Sequence, residues 1–112
     1  MSTPRLNRLL VLETRERVAD GGGGYAESWT ELGRHWAEVT ARTGRERGEA
    51  GLPLSAVSYR ITVRAAPYGT SARPVAHQRF REGARVFLIQ AVAERGADGR
   101  YLTCFADEEV VT

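Results

Sequence analysis

The chain has 112 residues, 42% of them apolar and 27% charged, with a formal net charge of +2. That length and balance fit one domain, residues 1–112, around a single core; they exclude a disordered chain and argue against a dedicated nucleic-acid-binding domain, which carries a more lopsided charge. Apolar runs stay short of the roughly 18 to 20 residues that span a bilayer, and no signal-peptide pattern opens the chain, so a cytosolic product without membrane attachment is expected.

From Leu6 to Val18, LNRLLVLETRERV, a short apolar block gives way to alternating Arg and Glu and predicts a first strand. The stretch ADGGGGYAESW, residues 19–29, follows as a long, flexible loop tip closed by Tyr25 and Trp29. It is not an interdomain linker, because the short piece before it cannot bury a core of its own. Arg34–Thr43, RHWAEVTART, predicts a second strand paired back on the first, and Gly44–Leu54 reads as a short helix or an irregular excursion. Ser55–Ala66 has the clearest alternation in the chain. Val57, Tyr59, Ile61, Val63 and Ala65 are expected to be buried, and Ser58, Arg60, Thr62 and Arg64 to be wet. A long connection runs to Ala84. Arg85–Glu94 is the next strand, Asp98-Gly99 marks a tight hairpin, and Arg100–Ala106 is the last strand before an acidic end, DEEVVT. The expected fold is all-β, or β with a short helical insertion: a small antiparallel barrel or sandwich of five or six strands with long loops.

Chemistry is sparse. The glycine run is no phosphate cradle, since the chain has no lysine and neither flank supplies a helix start. No serine lies in a nucleophile elbow. His35, His77 and the single cysteine, Cys104, have no metal-ligand spacing, and the lone cysteine excludes an internal disulfide. The histidines read as surface or edge residues and Cys104 as a small buried strand residue. Neither an enzyme nor a cofactor is expected. Tyr25 and Tyr68, each beside glycine in a predicted loop, are interface candidates. All sixteen basic residues are arginine, whose planar guanidinium favours lasting contacts with carboxylates and aromatic rings.

Read in order, these segments resemble the phage head-tail joining family, also called head closure or stopper proteins. The resemblance runs from about Leu6 to Val110 and rests on LNRLLVLETRERV, ADGGGGYAESW, HWAEVTARTGRE, SYRITVRAAP, QRFREGARVFLIQAV and YLTCFADEEV. It implies a β-barrel-like subunit without catalysis or cofactor, assembled with itself in a ring. That ring lies between the portal or head-tail adaptor protein and the tail terminator or tail tube protein. Double-stranded DNA passes through its channel. Assembly would occur in the host cytoplasm, with the virion, gene transfer agent or prophage-encoded particle as destination.

Within that picture Gly21, Gly22, Gly23, Gly24, Tyr25, Arg45, Glu46, Arg47, Glu49 and Tyr68 are the expected subunit contacts, and Arg60 and Arg64 are expected to face DNA. The loop tip is expected to be mobile in the free subunit and ordered by a neighbour. The competing reading is a small nucleic-acid-binding β-barrel in which Arg60, Arg64, Arg79 and Arg81 track the backbone and Tyr68 or Phe80 stacks on bases.

Overall fold

The computed structural model describes residues 3–42 and 56–109. Six strands form: β1 (Arg8–Ala19), β2 (Tyr25–Ala41), β3 (Ala56–Arg64), β4 (Arg79–Glu82), β5 (Arg85–Arg95) and β6 (Tyr101–Glu109). They pair antiparallel as a closed barrel in the order β1-β2-β3-β6-β5-β4, with β4 returning to β1. Among the described residues no helix forms. The excursion expected over Gly44–Leu54, and with it Arg45, Glu46, Arg47 and Glu49, lies outside the described residues.

Alternation along the strands fills the barrel with side chains, as a barrel this narrow requires. Leu10 and Leu12 of β1, Ile61 and Val63 of β3, Phe80 of β4, Phe87 and Ile89 of β5, and Leu102 and Cys104 of β6 are all 0% exposed. Phe87 meets the Tyr59 ring edge-on at 5.3 Å, and Phe80 meets His35 at 6.0 Å with an interplanar angle of 81°. Burial pushes the Cys104 thiol up to about 12, which makes it a small core residue with little thiolate.

Several expectations need correction. The second strand starts at Tyr25, not Arg34, so Trp29 is a strand residue and the glycine loop shrinks to residues 20–24. Periodicity missed this half of β2 because it has no buried face: it is held by pairing with β1 from Thr14↔Thr30 to Ala19↔Tyr25.

The long connection before Ala84 contains β4, four residues in which only Phe80 is apolar. The last strand continues through Asp107 and Glu108 to Glu109, so all three acidic residues of the supposed tail lie in the sheet. Ser58 and Thr62, expected to be wet, are each 5% exposed, and Val57, expected to be buried, is 39% exposed near the start of β3. The Ser58 hydroxyl donates to Asp107 at 2.7 Å, and Arg95 reaches Thr62 Oγ1 at 3.4 Å, so polar neighbours cover the outer wall there.

A bulge at Gln90 of β5, between the pairs Ile89↔Ala106 and Ala91↔Phe105, switches the inward face from Phe87 and Ile89 to Val92. His77, with φ +75°, sits against this irregularity: its N–H donates to the Ile89 carbonyl at 2.9 Å, and the Ile89 N–H donates to the Gln78 carbonyl at 2.9 Å.

Candidate functional site

The most distinctive feature is a two-stranded arm. β4 pairs with β1 only over Val11–Glu13, and β3 pairs with β2 only over Ala37–Ala41. Among the described residues, the far half of β1 and the near half of β2 therefore project beyond the barrel as a ribbon paired only with itself. Six residues per strand at about 3.3 Å each give an arm of roughly 20 Å. The radius of gyration, 15.3 Å, exceeds the roughly 13 Å of a compact chain this long, and the principal extents are 53 × 38 × 22 Å.

The glycine run turns this arm. Gly21 and Gly23 take φ of +84° and +86°, a region open to glycine at little cost. The Asp20 carboxylate accepts from the Gly22 N–H at 2.8 Å and the Gly24 N–H at 3.1 Å, and these bonds hold its pKa below the usual carboxylate range. Behind the turn, one face of the arm carries Arg15 and Arg17 on β1 and Tyr25, Glu27 and Trp29 on β2. Arg17 lies over Tyr25 at 4.5 Å, Arg15 lies over Trp29 at 5.2 Å, and Arg15 pairs with Glu27 at 3.7 Å. The opposite face holds the smaller Thr14, Glu16, Val18, Ala26, Ser28 and Thr30.

The root of the arm is anchored by a buried carboxylate. Glu13, 6% exposed, accepts from Arg79 Nε at 2.7 Å and from Arg81 Nε at 3.0 Å, and Arg79 also lies 4.1 Å over the Trp29 ring. One chain of contacts thus ties β1, β4 and the arm. Burial alone would raise the Glu13 pKa; the two guanidinium hydrogen bonds and their charges outweigh it and carry the pKa below the ordinary range. Glu13→Ala leaves two arginines facing a vacated site and is expected to lower folding stability by about 2 kcal/mol. That is less than a fully buried pair would lose, because both arginines keep contact with water. Urea unfolding of the two proteins measures the difference.

At the other end of the barrel Arg85 holds Glu108 through two bonds, 2.7 and 3.0 Å, and Arg8 holds Glu82. Glu82 and Glu108 are likewise held below the ordinary range by these arginines. Depressed carboxylates stabilise the fold above their unfolded pKa and lose that contribution as pH falls through the folded one. His35 is lowered by burial, so it too favours the fold above its unfolded value. Stability is therefore expected to be flat above about pH 6.5, to decline as His35 is protonated in the unfolded chain, and to fall steeply below about pH 4. Thermal midpoints across pH 3 to 8 check this.

The remaining expected contacts separate in space. Tyr68, 78% exposed, sits on the β3–β4 connection under Arg73, whose guanidinium lies 3.6 Å over its ring. Arg64 is exposed at the end of β3. Arg60 is half-buried on the outer wall, in a polar cleft of about 310 Å³ with Glu38, Thr40, Thr62, Arg95 and Thr103. Arg60 and Arg64 therefore lie on the barrel and not on the arm, Arg64 at the barrel end from which the arm projects.

The competing nucleic-acid reading loses three of its residues: Phe80 is 0% exposed and cannot stack on a base, while Arg79 and Arg81 are committed to Glu13. Sequence reasoning had no means of finding Glu13, Arg79 and Trp29 as a unit, since Glu13 and Arg79 are 66 positions apart.

A profile of phage head completion proteins matches residues 1–109, nearly the whole chain. The chain belongs to the phage head completion protein family. Head completion proteins are structural virion proteins and not a known enzyme family, and they associate with other components of the particle. Among solved structures, a chain described as part of the virion of a native gene transfer agent particle is 58% identical. The match covers 98% of this chain and all of that one, with a TM-score of 0.79. The solution structure of protein SF1141 from Shigella flexneri 2a shares the fold at a TM-score of 0.68 and 23% identity, covering 96% of each chain. A search of the curated proteins finds no match.

Proposed function

We propose that this head completion protein is a subunit of the head-tail connector of a phage-like particle of the gene transfer agent kind. Copies form a ring between the portal or head-tail adaptor protein and the tail terminator or tail tube protein. The ring prolongs the DNA exit path, retains packaged DNA and gives the tail its attachment surface. The observation that carries this reading is the end-to-end likeness, at 58% identity, to a chain from the virion of a native gene transfer agent particle.

The geometry supports it in two ways. A closed ring of identical subunits needs two different surfaces on each copy, because head-to-tail contacts are heterologous. This chain offers a projecting arm and a barrel whose two ends differ. The arm, the β3–β4 connection and the β5–β6 hairpin lie at one end, and the Arg8, Glu82, Arg85 and Glu108 pairs lie at the other. Electrostatics also suit passage of DNA without tight or sequence-specific capture. Arg8, Arg79, Arg81, Arg85 and Arg95 are each held by a carboxylate of the same chain, which lowers the counterion release available from DNA contacts.

Removing the chain from a particle-producing host tests the proposal. Negative-stain images should show DNA-filled or emptied heads without tails, restored when the chain is supplied in trans. Tailed particles of normal yield in its absence would overturn it.

A further inference from the structure

We infer that the arms of neighbouring copies pair edge to edge, the β1 edge of one arm adding to the β2 edge of the next, so that the arms make one continuous antiparallel sheet around the ring. This rests on the ring reading above and adds to it a specific contact, its strand polarity and its residues.

Among the described residues both edges of the arm are open. Beyond Glu13, β1 has no second partner strand, and β2 has none before Ala37. A cleft of about 190 Å³ lined by Thr14, Arg15 and residues 75–78 places the β3–β4 connection beside the root of β1, at Thr14 and Arg15. No proline or bulge interrupts either edge between Glu16 and Trp29, so two of the devices that blunt a free edge are missing, and the charges that stand there have opposite signs on the two strands' shared face, Arg15 and Arg17 on β1 and Glu27 on β2. An isolated two-stranded ribbon is also only marginally stable, and further strands stabilise it.

Direction and register follow from the same hairpin. Each arm contributes one strand running away from the barrel and one returning. Copies related by rotation place the returning strand of one beside the outgoing strand of the next, so every junction is antiparallel and the contact is heterologous and closing. The Asp20 N–H donates to the Gly24 carbonyl at 3.1 Å, which fixes the alternation along the ladder. Val18↔Ala26 and Glu16↔Ser28 exchange hydrogen bonds within the arm; Arg15, Arg17 and Ala19, and Tyr25, Glu27 and Trp29, turn their backbone N–H and C=O groups outward. When two such edges join, these outward residues stand opposite each other and their side chains share one face.

That face is complementary. On β1 it carries the cations Arg15 and Arg17; on β2 it carries the Glu27 carboxylate between the Tyr25 and Trp29 rings. Contacts inside the arm already display the pairing chemistry, with Arg17 over Tyr25 and Arg15 against Glu27 and Trp29. Across the junction, Arg17 of one copy meets the same partner types on the free side of the next copy's β2. Two β1 edges or two β2 edges would instead oppose like charges, which disfavours the wrong junction.

The absence of lysine makes the test direct. Arg17→Lys introduces the first side-chain amine of the chain; carbodiimide adds to a carboxylate to give an O-acylisourea, and an amine in contact with it attacks the acyl carbon, forming the amide and expelling the urea. Assembled particles that contain both wild-type copies and copies carrying Arg17→Lys with Glu27→Gln are treated, denatured and resolved by size, so that residue 17, which stands opposite Glu27 in its own arm, can reach that carboxylate only on another copy. A parallel variant, Arg15→Lys, sits one step along the same face, and the wild-type chain controls for its N-terminal amine.

The expected result is a covalent dimer of this chain in which residue 17 of one copy is joined to Glu27 of another, with no such band from wild type alone. Tailed particles that contain the chain but yield only monomer, or residue 17 joined to a different protein, would overturn the arm pairing and leave the ring reading standing. Tailed particles that lack the chain altogether would overturn both.

Discussion

Phe80→Ala is expected to lower folding stability by about 3 to 5 kcal/mol, the range for removing a large aromatic from a closed core. Phe80 is 0% exposed and comes from the shortest strand, which closes the barrel between β1 and β5 through the pairs Leu12↔Phe80 and Phe80↔Phe87. The mutation leaves a cavity against Phe87, Leu12 and the edge of His35, and four residues of backbone pairing cannot collapse far enough to fill it. With typical unfolding entropies the midpoint should fall by roughly 10 °C or more. Trp36→Ala is the control. That ring is larger, but it is 56% exposed on the outer wall, so its loss should change stability by less than about 1 kcal/mol. Equal effects of the two substitutions in urea unfolding would mean that β4 is not part of the core.

The same residues explain what was legible in the sequence. β3 could be read because Tyr59, Ile61 and Val63 alternate over an undisturbed stretch. β5 could be read up to Ile89, where one extra residue at Gln90 reverses the inward face, and nothing local marks a bulge. β4 escaped because its stabilising partners are remote: Phe80 packs across the barrel, and Arg79 and Arg81 find Glu13 at the far end of the chain. Polarity at those three positions looks like a loop until the ion pairs are assembled. Ser58 and Thr62 were misassigned to water for a related reason, since Asp107 and Arg95, which cover them, come from other strands.

The family was recognisable from the order of weak motifs, and its glycine run and tyrosine were visible as an exposed turn. The arm itself was not visible. Its projection follows from where β3 and β4 stop pairing, and a strand with no buried face leaves no hydrophobic period to read.

Shortening the arm should separate its role from that of the barrel. Replacing Arg17–Glu27 with Asn-Gly joins Glu16 to Ser28, a hydrogen-bonded pair, through the two-residue turn that antiparallel strands favour. None of the core residues lies between Thr14 and Thr30, and Trp29 keeps its place under Arg79, so the barrel should unfold within about 1 kcal/mol of the intact chain. Particle assembly should not tolerate the change. The deleted segment carries Arg17, Tyr25 and Glu27, and with them the open edges through which neighbouring copies are proposed to meet. Tails should be missing from most heads, as in the complete absence of the chain, although the shortened protein is folded and abundant. A folded, shortened chain that restores tailed particles to wild-type yield would assign the ring contacts to the barrel and reduce the arm to an ornament of the fold. Loss of tails together with loss of folding would instead show that the ribbon stabilises β1 and β2 beyond its own length, and the urea midpoint distinguishes the two.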